Sequence, residues 1–153
     1  MAAYFLDSSA VVKRYVSETG TVWISGITAA TGNKVYLVRL TLVEVISAIT
    51  RKARGTGITA AGAAIAVADF RRDFLNQYAK VDLTPTLIEH AADLAETHAL
   101  RGYDAVQLAA ALEVNIERAA IGLSAITLIS ADVALNAAAV AEGLAVGDPN
   151  AHP

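Results

Sequence analysis

The chain of 153 residues carries a formal net charge of −3, has 55% hydrophobic residues and contains no cysteine. Its length predicts one domain that is large enough to bury a core, and much of its hydrophobic fraction is alanine, which favours helices. The lack of cysteine excludes disulfides, zinc–thiolate centres and thiol nucleophiles, and the acidic balance argues against a general nucleic-acid binder, so any contact with a polyanion must use a local patch and a metal ion.

The sequence shows no sign of export or membrane insertion. The opening residues, MAAYFLDSS, contain no basic segment followed by a long apolar stretch, so we expect no signal peptide. The longest apolar runs, such as AAGAAIAVA from Ala60, are too short to span a bilayer. We therefore expect a cytoplasmic protein without membrane contact, and the absence of cysteine fits a reducing compartment.

The first half of the chain alternates short apolar strands with helices. Short apolar runs indicate buried strands, and Asp7 and Thr59 are of the residue types that begin helices. The predicted elements are a strand over 3–6, a helix of one or two turns after Ser9, a helix over 21–30, a strand over 35–40, a helix capped by Thr41 that runs from 42 into the RKARG segment, and an alanine-rich helix from Thr59 to about 79.

The second half continues this alternation. Pro85 stands where the first turn of a helix tolerates proline, Arg101 and Gly102 interrupt the next helical segment, and Gly143 ends the last helix. The predicted elements are an edge strand over 81–83, a helix from Thr84, a helix over 103–118, a strand over 125–130, a helix over 132–142 and a strand over 144–146. We predict one domain over residues 1–147 and a short, frayed C-terminal tail over 148–153.

Strands separated by helices indicate an α/β fold, with a parallel sheet that helices cover on both faces. Ligands of such sheets bind outside the C-terminal ends of the strands. Asp7 and Asp132 each follow a predicted strand, while Glu44 and Asp104 lie in the first turns of helices that border the same edge. The sequence therefore predicts that four acidic residues from distant segments line one pocket.

Each of the four acids has a structural explanation as well as a functional one. An aspartate near a helix N-terminus stabilises the helix by about 0.5–2 kcal/mol, which accounts for Asp7, Asp104 and Asp132 when each is taken alone. Glu44 lies between two valines, where a carboxylate is costly unless a cation or hydrogen-bond donors await it. Together, the four carboxylates would offer the oxygen ligands that Mg²⁺ prefers.

A divalent cation held by carboxylates indicates hydrolysis and favours a nuclease. The cation offsets the negative charge of a phosphodiester and of its leaving oxygen, and it lowers the pKa of a bound water. No competing nucleophile system is apparent, because cysteine is absent and none of the three histidines lies in a motif with a serine and an acid.

Four motifs of the chain resemble those of a known family. They are FLDSSAVVKRYV around Asp7, LVEV around Glu44, YDAVQLAAAL around Asp104 and LISADVALNAAAVAEGLAV around Asp132. In order and spacing they are similar to the motifs of PIN-domain ribonucleases and, within these, of the VapC-like toxins of toxin–antitoxin pairs. The resemblance covers nearly the whole chain and implies a three-layer α/β/α fold with a central, mostly parallel sheet.

The resemblance also implies an activity and a role for each acid. The protein would be a Mg²⁺-dependent endoribonuclease, with Mn²⁺ able to substitute. Asp7 and Asp104 would be the principal metal ligands, and Asp132 would complete the site directly or through water. Glu44 would bind metal or orient the attacking water.

Hydroxyl and basic residues near the acids match further expectations. Ser9 and Ser130 correspond to family positions that support the carboxylates or a phosphate oxygen, and they fit equally well as a helix-start and a strand-end residue. Several basic residues are candidates to contact RNA phosphates, with an ordinary solvated face as the alternative explanation: Arg51, Lys52 and Arg54 at a helix end, Arg71, Arg72 and Arg101, and Lys13 and Arg14. Lys13 and Arg14 are the better candidates because they lie within two turns of Asp7. The resemblance further implies a cognate antitoxin that places a basic side chain into the acidic pocket.

Two other functions and an assembly stay open at this point. The chain would also suit a metal-dependent phosphohydrolase of small phosphate esters, although enzymes of the haloacid-dehalogenase type carry a second aspartate where this chain has Ser9. A catalytically silent binding module, whose acids only cap helices, is the third possibility. The apolar faces of 21–30 and 42–54 exceed what one small core buries, which favours a homodimer or a bound antitoxin peptide.

Overall fold

Five parallel strands form the centre of the computed structural model, which describes residues 1–153. The strand order is β3-β2-β1-β4-β5, and every neighbouring pair is parallel. The strands are β1 Ala3–Leu6, β2 Lys34–Val38, β3 Ala79–Val81, β4 Thr127–Ile129 and β5 Ala145–Gly147. The predicted α/β class with a parallel sheet agrees with this arrangement.

Seven α-helices connect and cover the strands. They are α1 Ser8–Tyr15, α2 Thr21–Ala29, α3 Leu40–Arg54, α4 Ala60–Asn76, α5 Pro85–His98, α6 Gly102–Ala120 and α7 Val133–Ala141, followed by a 3₁₀ turn over Pro149–Ala151. None of these helices combines the length and the apolar character that crossing a membrane requires.

The sheet separates two hydrophobic cores, because successive residues of a strand point to opposite faces. Phe5 packs against α5, α6 and α7, whereas the next residue, Leu6, packs against the layer of α1 to α4. Leu128 and Ile129 divide in the same way on β4. Full burial of such a side chain contributes about 1.5–3 kcal/mol, so a slip of one residue in register would exchange the two cores and lose that packing.

The direction of the connections places a cleft beside β1. The chain runs from β1 outward to β2 and β3, and then returns to β4 on the other side of β1. Connections therefore leave β1 and β4 towards opposite faces, which opens a crevice at their C-terminal ends. The backbone N–H of Asp7 donates to the carbonyl of Ile129 at 3.1 Å and holds the two strand ends together there.

Several predicted boundaries are wrong by two or more residues. The strand predicted over 35–40 ends at Val38, and α3 begins at Leu40 without the expected cap from Thr41. Thr41 lies buried inside α3, where its hydroxyl accepts a hydrogen bond from Gln107. Residues 38–42 alternate apolar and polar side chains, a pattern that favours a strand, although the chain begins a helix here.

The prediction of a frayed tail over 148–153 is also wrong. Asp148 caps the 3₁₀ turn by accepting from the N–H of Asn150 at 2.8 Å, and Lys13 donates to the Asn150 side chain at 3.0 Å. The His152 ring stacks on Trp23 with 4.0 Å between ring centroids. These contacts join the end of the chain to α1 and α2, which the local sequence does not reveal. The division at residue 147 itself stays a prediction.

Gly20→Ala is expected to destabilise the protein by about 2–3 kcal/mol through strain and displacement of the tail. Gly20 has a φ of +89°, and an added Cβ would lie 2.5 Å from the carbonyl oxygen of Pro149. Urea unfolding would measure the loss, and the emission of Trp23, the single tryptophan, would report release of His152.

The control for this variant is Gly26→Ala within α2. A Cβ at Gly26 would meet nothing within 4 Å, so alanine should stabilise the helix by about 0.5–1 kcal/mol. Equal stabilities of the two variants would contradict the tight approach of the tail to Gly20.

Candidate metal-binding site

The four acidic residues singled out from the sequence line one open cavity at the C-terminal edge of the sheet. Asp7 directly follows β1 and caps α1, and Asp132 caps α7 after β4. Asp104 lies in the first turn of α6, as predicted, whereas Glu44 lies beyond the first turn of α3, because that helix begins at Leu40 and not at 42. The cavity has a volume of about 460 Å³. The fold thus brings together four residues that are widely separated in the sequence.

Asp7 is the buried member of this group, with 2% of its surface exposed. Its Oδ1 accepts hydrogen bonds from the Ser9 hydroxyl at 2.7 Å and from the Ala10 N–H at 2.9 Å, while Oδ2 accepts from the Ser130 hydroxyl at 2.8 Å. Burial nevertheless raises the pKa of Asp7 to about 6, and the charge of Asp104 adds to the rise. The protein holds a carboxylate whose charge its own donors do not fully compensate.

Ser9 and Ser130 connect the two strand ends around Asp7. Besides binding Asp7, Ser9 accepts from the Ala131 N–H at 2.9 Å, and Ser130 accepts from the Asp132 N–H at 3.0 Å. Each hydroxyl therefore touches both the β1–α1 segment and the β4–α7 segment. These contacts favour support of a carboxylate as the role of the two serines, and a contact with a phosphate oxygen stays a prediction.

Glu44 is held by two polar side chains. Its Oε1 accepts from Gln107 Nε2 at 2.8 Å, and its Oε2 accepts from the Ser8 hydroxyl at 3.3 Å. Burial raises the pKa of Glu44, whereas the hydrogen bonds from Gln107 and Ser8 lower it. The carboxylate that the sequence places between two valines, where burying its charge is costly, therefore has hydrogen-bond donors.

Gln107 is a member of the site that the sequence did not reveal. It lies one turn after Asp104 on α6 and is almost fully buried; its Nε2 donates to Thr41 and to Glu44, and its Oε1 has no partner. Two features of the sequence could have indicated Gln107. It lies three residues after Asp104, and residues three apart share one face of a helix; it is also a lone polar residue in AVQLAAA.

Asp104 and Asp132 are bridged by Arg101. The Arg101 Nε donates to Asp104 Oδ2 at 3.2 Å, and Nη2 donates to Asp132 Oδ2 at 3.0 Å. Burial raises the pKa of Asp104, the charge of Asp132 raises it further, and Arg101 opposes both effects. The other oxygen of Asp132 accepts from the Leu135 N–H at 2.8 Å, so this residue caps α7 and presents its second oxygen to Arg101.

The donor set suits a hard divalent cation. Four carboxylates face one cavity, and neither Asp7 nor Glu44 forms an ion pair. Oxygen ligands of this kind are typical of Mg²⁺ and Mn²⁺ sites. As they stand, no three acidic or histidine side chains enclose a point where a metal ion would be held, and two of the four carboxylates contact Arg101.

The structure does not support the expected RNA contacts of Lys13 and Arg14. Lys13 is buried, binds Asn150 and pairs with Glu18 at 3.7 Å. Arg14 pairs with Asp73 at 3.3 Å. Neither residue lines the cavity, whose basic residues are Arg51 and Arg101, two of the other candidates from the sequence. Proximity to Asp7 in sequence was misleading because α1 turns these two side chains to other faces.

Comparisons with known proteins identify the family. The protein-family model described as PIN domain matches residues 4–141, and the chain belongs to this family. It is 40% identical over 119 residues to proteins named ribonuclease VapC45 and ribonuclease VapC49, from two strains of Mycobacterium tuberculosis. Each alignment covers 75% of this chain and 78% of the relative.

Solved structures share the whole fold at low sequence identity. VapC20 of Mycobacterium tuberculosis, described as a sarcin-ricin loop cleaving toxin, superposes with a TM-score of 0.63 at 18% identity, covering 98% of this chain and 99% of that one. FitAcB of Neisseria gonorrhoeae gives a TM-score of 0.62 at 16% identity, with coverage of 95% and 97%. The predicted PIN-like three-layer α/β/α fold is thereby confirmed.

Asp7→Asn is expected to stabilise the metal-free protein at pH 7 by about 1–3 kcal/mol, the free-energy equivalent of the raised pKa less any cost of rearranged hydrogen bonds. Because the pKa of Asp7 rises from 3.8 to about 6 on folding, the folded state holds this proton more tightly. The contribution of Asp7 is therefore most favourable below pH 3.8 and is lost as the pH rises through 6.

The measurement is urea unfolding in chelator between pH 4 and 8. The stability difference between Asp7→Asn and wild type should grow across this range, while Asp82→Asn, which changes an exposed carboxylate, should follow the wild-type pH dependence. Parallel curves for Asp7→Asn and wild type would show that Asp7 is not buried as a charge.

Proposed function

We propose that the protein is a metal-dependent endoribonuclease that acts as the toxin of a toxin–antitoxin pair in the cytoplasm. The observation that carries the proposal is the cavity lined by four carboxylates, one of them buried and incompletely compensated. Membership of the PIN-domain family and 40% identity to proteins named ribonucleases support the same activity.

Asp7, Asp104 and Asp132 are the residues that we assign to hold the metal. A divalent cation there, Mg²⁺ or Mn²⁺ in its place, would supply a Lewis acid that offsets the charge of the scissile phosphate. Ser9 and Ser130 keep the Asp7 carboxylate aimed into the cavity through their hydrogen bonds. Fixed ligands of this kind reduce the reorganisation that the reaction requires.

Glu44 is the residue that we assign to the attacking water. Burial raises its pKa, so it is a stronger base than an exposed carboxylate, and Gln107 and Ser8 fix its direction. Glu44 would orient the water and accept its proton as the new oxygen–phosphorus bond forms and the bond to the leaving oxygen breaks.

The rim of the cavity suits single-stranded RNA. Tyr103 and Arg51 both line the cavity and are both exposed, Tyr103 with 62% of its surface. An aromatic ring and a cation on one cavity offer a surface on which a base stacks and a charge for a phosphate. A local patch of this kind would allow RNA to bind although the net charge of the chain is negative.

An antitoxin is the partner that we propose for the toxin. Among the solved structures with this fold are VapBC2 of Rickettsia felis bound to a DNA fragment from their promoter, with a TM-score of 0.63 at 12% identity, and FitAB bound to a DNA fragment. The acidic cavity would accept a basic side chain of the antitoxin. We also propose a homodimer, because Val22 on α2 and Val43 on α3 are exposed.

The contacts in the site favour neither of the two alternative functions. Ser9 donates a hydrogen bond to Asp7, so the position that a haloacid-dehalogenase enzyme fills with a second acid serves here to hold the first. A silent module would need the acids only as caps, yet Glu44 caps no helix and Asp132 caps with one oxygen alone.

Purified protein is expected to cleave single-stranded RNA in Mg²⁺ or Mn²⁺ and to lose that activity in chelator. Asp7→Asn and Asp104→Asn should each lower the cleavage rate on the order of 100-fold or more, because each removes a proposed ligand. Asp82→Asn is the control for loss of an exposed charge. Undiminished cleavage by Asp7→Asn would refute the assignment, as would hydrolysis of phosphomonoesters in preference to RNA.

Gln107→Leu is expected to lower kcat roughly 10–100-fold while leaving the fold intact, because Glu44 loses the donor that directs it. The hydrogen bond from Gln107 lowers the pKa of Glu44, so its removal should move the acidic limb of the pH–rate profile to higher pH. Gln77→Leu, which changes an exposed glutamine, should keep the wild-type profile. An unmoved limb in Gln107→Leu would contradict the role of Glu44 as the base.

A further inference from the structure

Arg101 is the one cation that pairs with any of the four acids of the cavity. It is the N-cap residue of α6, with extended backbone and no side-chain capping bond. Its guanidinium reaches forward to Asp104 on its own helix and across to Asp132 at the start of α7. The side chain is 80% exposed, so it covers these carboxylates from the solvent side.

We propose that Arg101 exchanges partners during the catalytic cycle: it neutralises Asp104 and Asp132 before the metal binds, and it contacts an RNA phosphate once the metal has taken those carboxylates. The inference rests on the proposed function, and it assigns to Arg101 a role that neither the fold nor the family match supplies.

The geometry favours such an exchange. Both contacts of Arg101 are made to the Oδ2 atoms, and Oδ1 of Asp132 already caps α7. A metal ion that bound Asp132 directly, with the cap intact, would therefore use the oxygen that Arg101 now contacts, and two cations at one carboxylate oxygen repel each other.

The exchange is easy because the pairing is exposed. Ion pairs in contact with solvent change an equilibrium by only about 2- to 5-fold, which a divalent cation with several carboxylate ligands overcomes. Arg101 would stay at the cavity after release, since its carbonyl accepts the Ala105 N–H at 3.0 Å in the first turn of α6. A guanidinium freed there offers the fork of donors that matches phosphate oxygens.

The charges of the cavity agree with this role. Its lining holds four carboxylates and two arginines, Arg51 and Arg101, which leaves a formal charge of about −2 when all are ionised. One divalent cation brings the cavity close to neutrality. An RNA phosphate that approaches then meets two guanidinium groups, of which Arg101 alone has lost its carboxylate partners.

Arg39→Gln provides a closely matched control for Arg101→Gln. Arg39 is likewise an exposed N-cap residue, of α3, with no side-chain capping bond, and it pairs with the exposed Asp82. It does not line the cavity. Both variants remove one positive charge from a helix N-terminus, so differences between them report the position of Arg101 and not the net charge.

The first measurement is Mn²⁺ binding by calorimetry in the absence of RNA. Arg101→Gln should bind Mn²⁺ about 2- to 5-fold more tightly than wild type, because the guanidinium that competes with the metal for Asp104 and Asp132 is removed. Arg39→Gln should bind as wild type does. An unchanged or weaker Mn²⁺ affinity in Arg101→Gln would overturn the inference.

The second measurement is binding of a fluorescein-labelled single-stranded RNA at saturating Mn²⁺, in a Glu44→Gln background that prevents cleavage. Adding Arg101→Gln should weaken binding and reduce the slope of log K against log salt by about 0.7, the loss of one phosphate contact on a single strand. Adding Arg39→Gln should leave the slope unchanged. Tighter Mn²⁺ binding with an unaltered salt slope would make Arg101 a counter-ion only and would overturn the exchange.

Failure of the inference is distinguishable from failure of the proposed function. A wild-type protein that binds no Mn²⁺ and cleaves no RNA would overturn both. Cleavage of RNA by the wild type, together with wild-type metal affinity and salt slope in Arg101→Gln, would overturn the exchange alone.

Discussion

The burial of the Asp7 carboxylate between β1 and β4 is the constraint on which the rest of the site depends. Ser9, Ala10 and Ser130 all donate to it, and two of these donors also bind the segment after β4. The strand ends and the carboxylate therefore fix one another. These hydrogen bonds do not fully offset the cost of removing the Asp7 carboxylate from water, since its pKa still rises to about 6. A bound cation would offset the rest of that cost.

Capping and metal binding are not competing explanations for the acids of this fold. A parallel sheet with helices on both faces places helix N-termini at the same edge as the strand ends, so a carboxylate that caps a helix there also borders the cavity. Asp132 shows that a capping residue keeps one oxygen for another contact, because one oxygen accepts from the Leu135 N–H and the other accepts from Arg101. The cap fixes the side chain and so directs its second oxygen.

Helix α6 carries three polar residues of the site at intervals of three. Arg101 stands at its N-cap, Asp104 in its first turn and Gln107 one turn later. Spacings of three keep side chains on neighbouring parts of one helical face. The first residue reaches Asp132, and the last reaches Glu44. A single helix thereby sets the position of acids on two other elements, α3 and α7.

The local sequence was sufficient to predict which segments form strands and helices, their parallel arrangement and the four acids at their ends. These features depend on apolar periodicity and on capping residues, which act over a few positions. Boundaries such as the start of α3 were less well determined, because residues 38–42 alternate apolar and polar side chains as a strand does, and yet α3 begins at Leu40.

Only the tertiary structure decided which side chains meet. Gln107 and Glu44 are 63 residues apart, Arg101 and Asp132 are 31 apart, and Lys13 and Asn150 are 137 apart. Such contacts depend on strand order and on the rotation of each helix about its axis, which periodicity does not specify beyond naming a buried face. For this reason the sequence determined the carboxylates of the site, while the fold determined that Gln107 supports one of them, that Arg101 bridges two, and that Lys13 and Arg14 bind elsewhere.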